Sequence, residues 1–115
     1  MNRPPDFSAF AADADQAAAL LSAMANAKRL LVLCYLAECG EAPVARIADE
    51  VGLSKSALSQ HLAKLRGDRL LATRREAQTI YYRLDDARIL KLLTLLRDIF
   101  CPQLARNGPG GGHND

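Results

Sequence analysis

The sequence predicts a mainly α-helical domain carrying one β-hairpin, ordered as four helices, a hairpin and a closing helix. Three observations lead there. Apolar residues recur at three- and four-residue spacing through most of the chain. The period changes to two between Leu71 and Leu84. Positive charge gathers in the same central third. Residues 54–83 hold 7 basic and 2 acidic side chains, whereas 1–53 hold 4 and 7, and 84–115 hold 4 of each.

The elements follow in order. "MNRPPDF" has two prolines and little apolar content, and residues 1–10 are expected to form a flexible arm. Asp13 to Ala25 reads as an Ala-rich helix with Leu20, Leu21 and Met24 as its bulky positions; small residues let it approach another helix closely. Asn26 to Cys39 reads as a second helix, with Leu30, Leu31, Leu33, Cys34 and Ala37 at helical spacing and Gly40 as its stop. In "PVARIADEVG", Pro43 suits a first helical position. Val44, Ile47, Ala48 and Val51 make an apolar stripe, and Gly52 ends the turn. Ser54 is a good N-cap for a fourth helix, "SKSALSQHLAKLR". The link between the third and fourth helices is so short that the pair has helix-turn-helix spacing. "LLATRR" and "QTIYYRL" flank a tip near Glu76 and Ala77, with Ile80, Tyr82 and Leu84 on one face and Thr79, Tyr81 and Arg83 on the other. From Asp86 to about Cys101 runs a last helix with apolar residues on more than one stripe, which needs both its own core and a second subunit. The folded domain is expected over 11–104, and the Gly-rich segment 105–115 is expected to be disordered. The whole is a winged helix-turn-helix with dimerising ends.

Bulk properties restrict the function. At 115 residues the chain forms one domain with a modest core, which fits a homodimer. No run of about 18 uncharged apolar residues is present, so no membrane partner is expected. The N-terminus lacks the apolar stretch of a signal peptide. A cytoplasmic protein with reduced thiols is expected. Its three cysteines, Cys34, Cys39 and Cys101, are an odd number without a CxxC pair. That is neither a disulfide framework nor a zinc ribbon.

The basic block points to a polyanion touched by one face. On the fourth helix Leu58, Leu62 and Leu65 form the core side. Ser56, Ser59, Gln60 and Ala63 lie opposite, with Lys64 at the edge. Small or hydrogen-bonding side chains are what a helix needs to read base edges in the major groove. Lys55, Lys64 and Arg66, with Arg74 and Arg75 on the hairpin, would reach phosphates. His61 beside the core stripe reads as a packed or phosphate-touching residue rather than a metal ligand. The competing interpretation, a merely solvated polar face, is outweighed by the helix-turn-helix spacing and the basic hairpin together.

"AMANAKRLLVLCYL", "GLSKSALSQHLAKLR" and "TRREAQTIYYRL" resemble the ArsR/SmtB family of bacterial dimeric repressors, over about Leu20 to Pro102. The resemblance implies a winged-helix homodimer that binds an inverted-repeat operator in double-stranded DNA and leaves it when an inducer arrives. Family members usually carry glycine just before the first hairpin strand. Here that position falls on Arg69, with Gly67 two residues earlier, so the end of the fourth helix is open to displacement. The metal sites usual in the family find no match. "VARIADE" has no cysteine, and no histidine lies between Asp85 and Pro102. Carboxylates alone are poor ligands for soft metals. His113, in the tail, is at most an adventitious ligand. No cofactor and no metal site are expected.

"LLVLCYL" and "DIFCP" resemble the sulfide- and persulfide-responsive branch of that family, the BigR and SqrR type. The resemblance implies that Cys34 and Cys101 lie close within one subunit and are joined by a disulfide or polysulfide bridge when a persulfide or polysulfide inducer reacts, lowering operator affinity. Cys39, about 140° around the helix from Cys34, has no such role. A cysteine in an apolar stripe is otherwise simply a small core residue. A thiophilic-metal sensor using the same two thiols is the alternative. An enzyme is not expected, since no His or Arg is placed in the sequence to activate either thiol.

Overall fold

A computed structural model describes residues 5–101. Its order is α1 (Pro5–Ala12), α2 (Ala14–Met24), α3 (Ala27–Cys39), β1 (Glu41–Pro43), α4 (Val44–Val51), α5 (Lys55–Gly67), β2 (Leu71–Glu76), β3 (Thr79–Leu84) and α6 (Ala87–Phe100). This is a winged helix-turn-helix. Among the described residues no single helix is long and apolar enough to cross a membrane. Residues 1–4 of the expected arm, and the expected tail at 105–115, lie outside the described residues.

Local chemistry explains most of the boundaries. Asn26 caps α3 by accepting from the Arg29 N–H at 3.0 Å, and Ser54 caps α5 by accepting from the Ala57 N–H at 3.1 Å. Asp86 caps α6 by accepting from the Arg88 N–H at 2.9 Å. These side chains satisfy donors that the first helical turn leaves open. At the far end of α4, Lys28 donates to the Val51 carbonyl at 2.9 Å, a cation on the negative pole of the helix that also ties α3 to α4. Gly52 turns the chain toward α5 in the left-handed region, φ 72°.

The core lies between the helices and the inner face of the sheet. Leu33, Leu36, Ile47, Leu58, Leu62, Leu65 and Ile89 are almost wholly buried, and Tyr82 and Leu84 pack against them. The α4 stripe is as expected, with Ile47, Ala48 and Val51 buried.

Several expectations are corrected. Residues 5–12 form a helix rather than part of a flexible arm. Pro5 can occupy a first helical position without a lost hydrogen bond, Asp6 favours the positive pole, and the rest is rich in alanine. Pro43 does not begin α4. Its backbone is extended (φ −79°, ψ 162°) and it closes a short strand, β1, that period analysis did not show. β1 makes the hairpin a three-stranded sheet in the order β1-β3-β2, all antiparallel. The strands meet at the register Glu76↔Thr79, so the tip is Ala77–Gln78. On α3 the buried residues are Val32, Leu33 and Leu36, while Leu31 and Cys34 are exposed. On α6 only Ile89 and Leu93 are buried, leaving Leu90, Leu95, Ile99 and Phe100 open to solvent.

Candidate nucleic-acid interface and thiol crevice

α5 is held by its buried leucines and presents the rest of its surface outward. Lys55, Ser56, Ser59, Gln60, Ala63, Lys64 and Arg66 are exposed, and His61 is half-buried. The Ser59 hydroxyl donates to the Lys55 carbonyl at 2.8 Å, leaving its oxygen free to accept. Lys64 pairs with Asp68 at 3.1 Å, an exposed one-turn pair that a stronger anion can displace.

Beyond α5 the chain stops its helix at Gly67 and turns at Arg69, whose φ of 64° is left-handed. The position where the family resemblance placed glycine therefore does demand glycine's conformation; the helix end is not displaced, and Arg69 bears the strain.

The wing carries two arginines with different surroundings. Arg75 is exposed and makes no ion pair among the described residues. Arg74 does not stand free for phosphate. Its Nε donates to both carboxylate oxygens of Glu41, at 2.8 and 3.0 Å, its Nη1 donates to Glu76 at 2.8 Å, and its guanidinium lies 4.4 Å from the centroid of the Tyr81 ring. These contacts run from β2 over β3 to β1, so Arg74 clamps the sheet. Hydrogen bonds from Arg74 hold the Glu41 carboxyl below the usual carboxylate range.

The other feature is an open crevice of about 290 Å³ between α3 and α6. Leu30, Leu93, Leu96 and Phe100 supply its apolar wall, and Cys34, Glu38, Arg97 and Cys101 supply its chemistry. α3 places Cys34 and Glu38 one turn apart, and α6 does the same with Arg97 and Cys101. The Cys101 N–H closes the helix on the Arg97 carbonyl at 2.7 Å, and Arg97 pairs with Glu38 across the crevice at 3.2 Å. Cys34 keeps some surface open to solvent, yet burial against the apolar wall pushes its thiol up. The Arg97 cation opposes that rise, and Glu38 and Cys101 add to it. Cys39 lies elsewhere, its thiol 3.6 Å from the Glu41 carbonyl. Among the described residues no group of three or more His, Cys, Asp and Glu is arranged to hold a metal ion.

The structure thus brings Cys34 and Cys101 into one crevice, gathers the exposed α5 residues on one surface, and engages the exposed Arg74 with Glu41 and Glu76. Sequence reasoning missed Glu41, Glu38 and Arg97. The last two carried a usable signal, since each stands four residues from a cysteine on the same helix face.

Residues 26–73 match the profile described as bacterial regulatory protein, arsR family. The nodulation protein NolR of Rhizobium meliloti is 56% identical over 88 residues, covering 76% of this chain and 71% of that protein. The chain belongs to the ArsR family. As a member it is a helix-turn-helix transcriptional regulator and not an enzyme. Among solved ArsR-like structures, the transcriptional repressor BigR from Xylella fastidiosa superimposes with a TM-score of 0.78 at 34% identity, over 82% of this chain and 95% of that one. The antimony-specific transcriptional repressor AntR gives 0.74 at 31% identity, over 84% and 86%.

Proposed function

We propose that this ArsR-family regulator is a homodimeric repressor that releases its operator when Cys34 and Cys101 are joined. The observation that carries the proposal is the placement of both thiols in the crevice between α3 and α6. α5 enters the major groove of an inverted-repeat operator. Ser56, Ser59 and Gln60 face base edges, with His61 at the margin. Lys55, Lys64, Arg66 and Arg75 supply phosphate contacts, and Arg74 supports the wing that carries Arg75.

The sensing step balances with a persulfide as the oxidant. The Cys34 thiolate attacks the outer sulfur of RSSH, forming the Cys34 persulfide and expelling RS⁻. The Cys101 thiolate then attacks the sulfur attached to Cys34, forming the disulfide and expelling HS⁻. Two thiols and one RSSH become one disulfide, RSH and H₂S; a second RSSH consumed in the same way inserts a further sulfur into the bridge. The bridge staples α6, which exposes Leu90, Leu95, Ile99 and Phe100, to α3, the helix tied through Lys28 to the DNA-reading pair. A dimer reads two half-sites about 34 Å apart, so a small change in their separation costs affinity.

Anisotropy of labelled promoter DNA tests this at fixed salt, with reduced protein, before and after glutathione persulfide. Tight binding that weakens with persulfide and recovers with reductant supports the reading; binding that ignores persulfide overturns it. One observation favours a second reading, in which the same thiols bind a thiophilic metal or metalloid: the likeness to an antimony-specific repressor. In that case antimonite or arsenite releases the DNA and persulfide does not.

A further inference from the structure

The thiol crevice contains the Glu38–Arg97 ion pair, and its position is not arbitrary. Glu38 follows Cys34 by one helical turn, and Arg97 precedes Cys101 by one turn. Glu38 meets Arg97 directly at 3.2 Å, and Cys34 and Cys101 share the same crevice. One turn forward on α3 is therefore matched by one turn back on α6, the correspondence of two antiparallel helices. The ion pair and the thiol pair are adjacent rungs between the same two elements.

We propose that Glu38 and Arg97 are the positioning residues of the thiol site: their ion pair, one helical turn from both cysteines, locally holds the facing ends of α3 and α6 so that Cys34 stays level with Cys101 and a guanidinium stays in the crevice with them. This deepens the sulfur-sensing reading and rests on it for its biological meaning. Both charged side chains are substantially exposed, 67% for Glu38 and 45% for Arg97. An exposed pair of this kind contributes little to global stability. A purely structural explanation for its presence is correspondingly weak, whereas a cation beside a desolvated thiol has a direct chemical effect. Burial raises the Cys34 thiol, Arg97 lowers it, and Glu38 raises it again. The two partners therefore pull Cys34 in opposite directions, and Glu38 tempers the activation that Arg97 supplies.

The opposition gives the test its sign. The full chain is compared with Arg97→Gln, Glu38→Gln and the exchanged double variant Glu38→Arg/Arg97→Glu. Alkylation of Cys34 by iodoacetamide is followed by peptide mass spectrometry across a pH series, diamide-driven cross-linking of Cys34 to Cys101 is timed, and thermal unfolding is recorded. Arg97→Gln is expected to slow Cys34 alkylation at neutral pH about three- to tenfold, with its pH profile displaced upward. Glu38→Gln is expected to speed it. Cross-linking slows in Arg97→Gln and recovers in the exchanged variant, with melting temperatures little changed. Alkylation profiles that coincide with wild type, or that move the same way in both single variants, overturn the proposal. So does a failure of the exchanged variant to recover cross-linking. None of these readouts uses persulfide or DNA. If persulfide fails to release the operator while the profiles still separate, the sensing reading falls and the positioning role stands.

Discussion

Arg69 shows how one residue can hold a fold-wide requirement under strain. An L-residue with a side chain at φ 64° sits in a region that costs roughly 1–2 kcal/mol relative to the ordinary helical well. Glycine avoids that cost but loses more freedom on folding. Arg69→Gly is therefore expected to stabilise the chain by about 0.5–1 kcal/mol, read as a higher urea midpoint with an unchanged denaturant slope. Cys34 is the second residue whose surroundings set its chemistry. Burial raises its thiol, so the thiolate is a minor species at neutral pH. The rate of Cys34 persulfidation is expected to keep rising through pH 8 to 9, measured by stopped reaction and mass spectrometry. A rate that is already level at pH 7 would contradict the placement of Cys34 against the apolar wall.

At the scale of elements, α6 and the wing depend on a few polar contacts. Asp86 caps α6 and pairs with Arg88 at 2.6 Å while its own side chain is only 13% exposed. Hydrogen bonds from Arg88 depress the Asp86 carboxyl. Its contribution is therefore complete above the unfolded carboxyl pKa of about 3.9 and is lost as pH falls through the lower folded value. Asp86→Ala should cost about 1 kcal/mol at pH 7, and the gap to wild type should narrow in strong acid, as followed by urea unfolding. In the wing, the two neighbouring arginines should separate cleanly. Arg75→Ala is expected to weaken operator binding and to reduce the salt slope by about 0.9, the share of one phosphate contact. Arg74→Ala should instead loosen the β1-β3-β2 sheet, visible as faster amide exchange in β1 and β3, because its charge is committed to Glu41 and Glu76.

For the whole molecule, exposed apolar surface is concentrated on the helices at its two ends. Phe7, Phe10 and Leu21 on α1 and α2, and Leu90, Leu95 and Ile99 on α6, are all about half exposed. That much apolar area on one small chain is the kind of surface that association buries. A second copy of the chain covering it would explain why α6 is apolar on more than one side while burying only Ile89 and Leu93. Leu95→Asp should shift the protein from dimer to monomer in sedimentation velocity and abolish tight binding to an inverted repeat, leaving α5 folded. A monomeric wild-type chain at micromolar concentration would refute this arrangement.

The sequence by itself determined the helical and strand periods, the Ser54 cap, the helix-turn-helix spacing and the outward face of α5, whereas interest in Cys34 and Cys101 together came from a family resemblance. The former are all written in steps of two to four residues, which is the reach of backbone periodicity and capping. β1 escaped because three residues are too few to show a period, and because Pro43 suits a helix start as well as a strand end. The Glu41–Arg74 clamp spans 33 positions in sequence and depends on two strands lying either side of β3. The Glu38–Arg97 pair depends on how α3 crosses α6. Which leucines remain exposed depends on the same packing. Local rules specify each element's faces; only the docking of elements distant in sequence decides which face meets a partner, and so decided that Arg74 meets Glu41 across the sheet and that two thiols share one crevice.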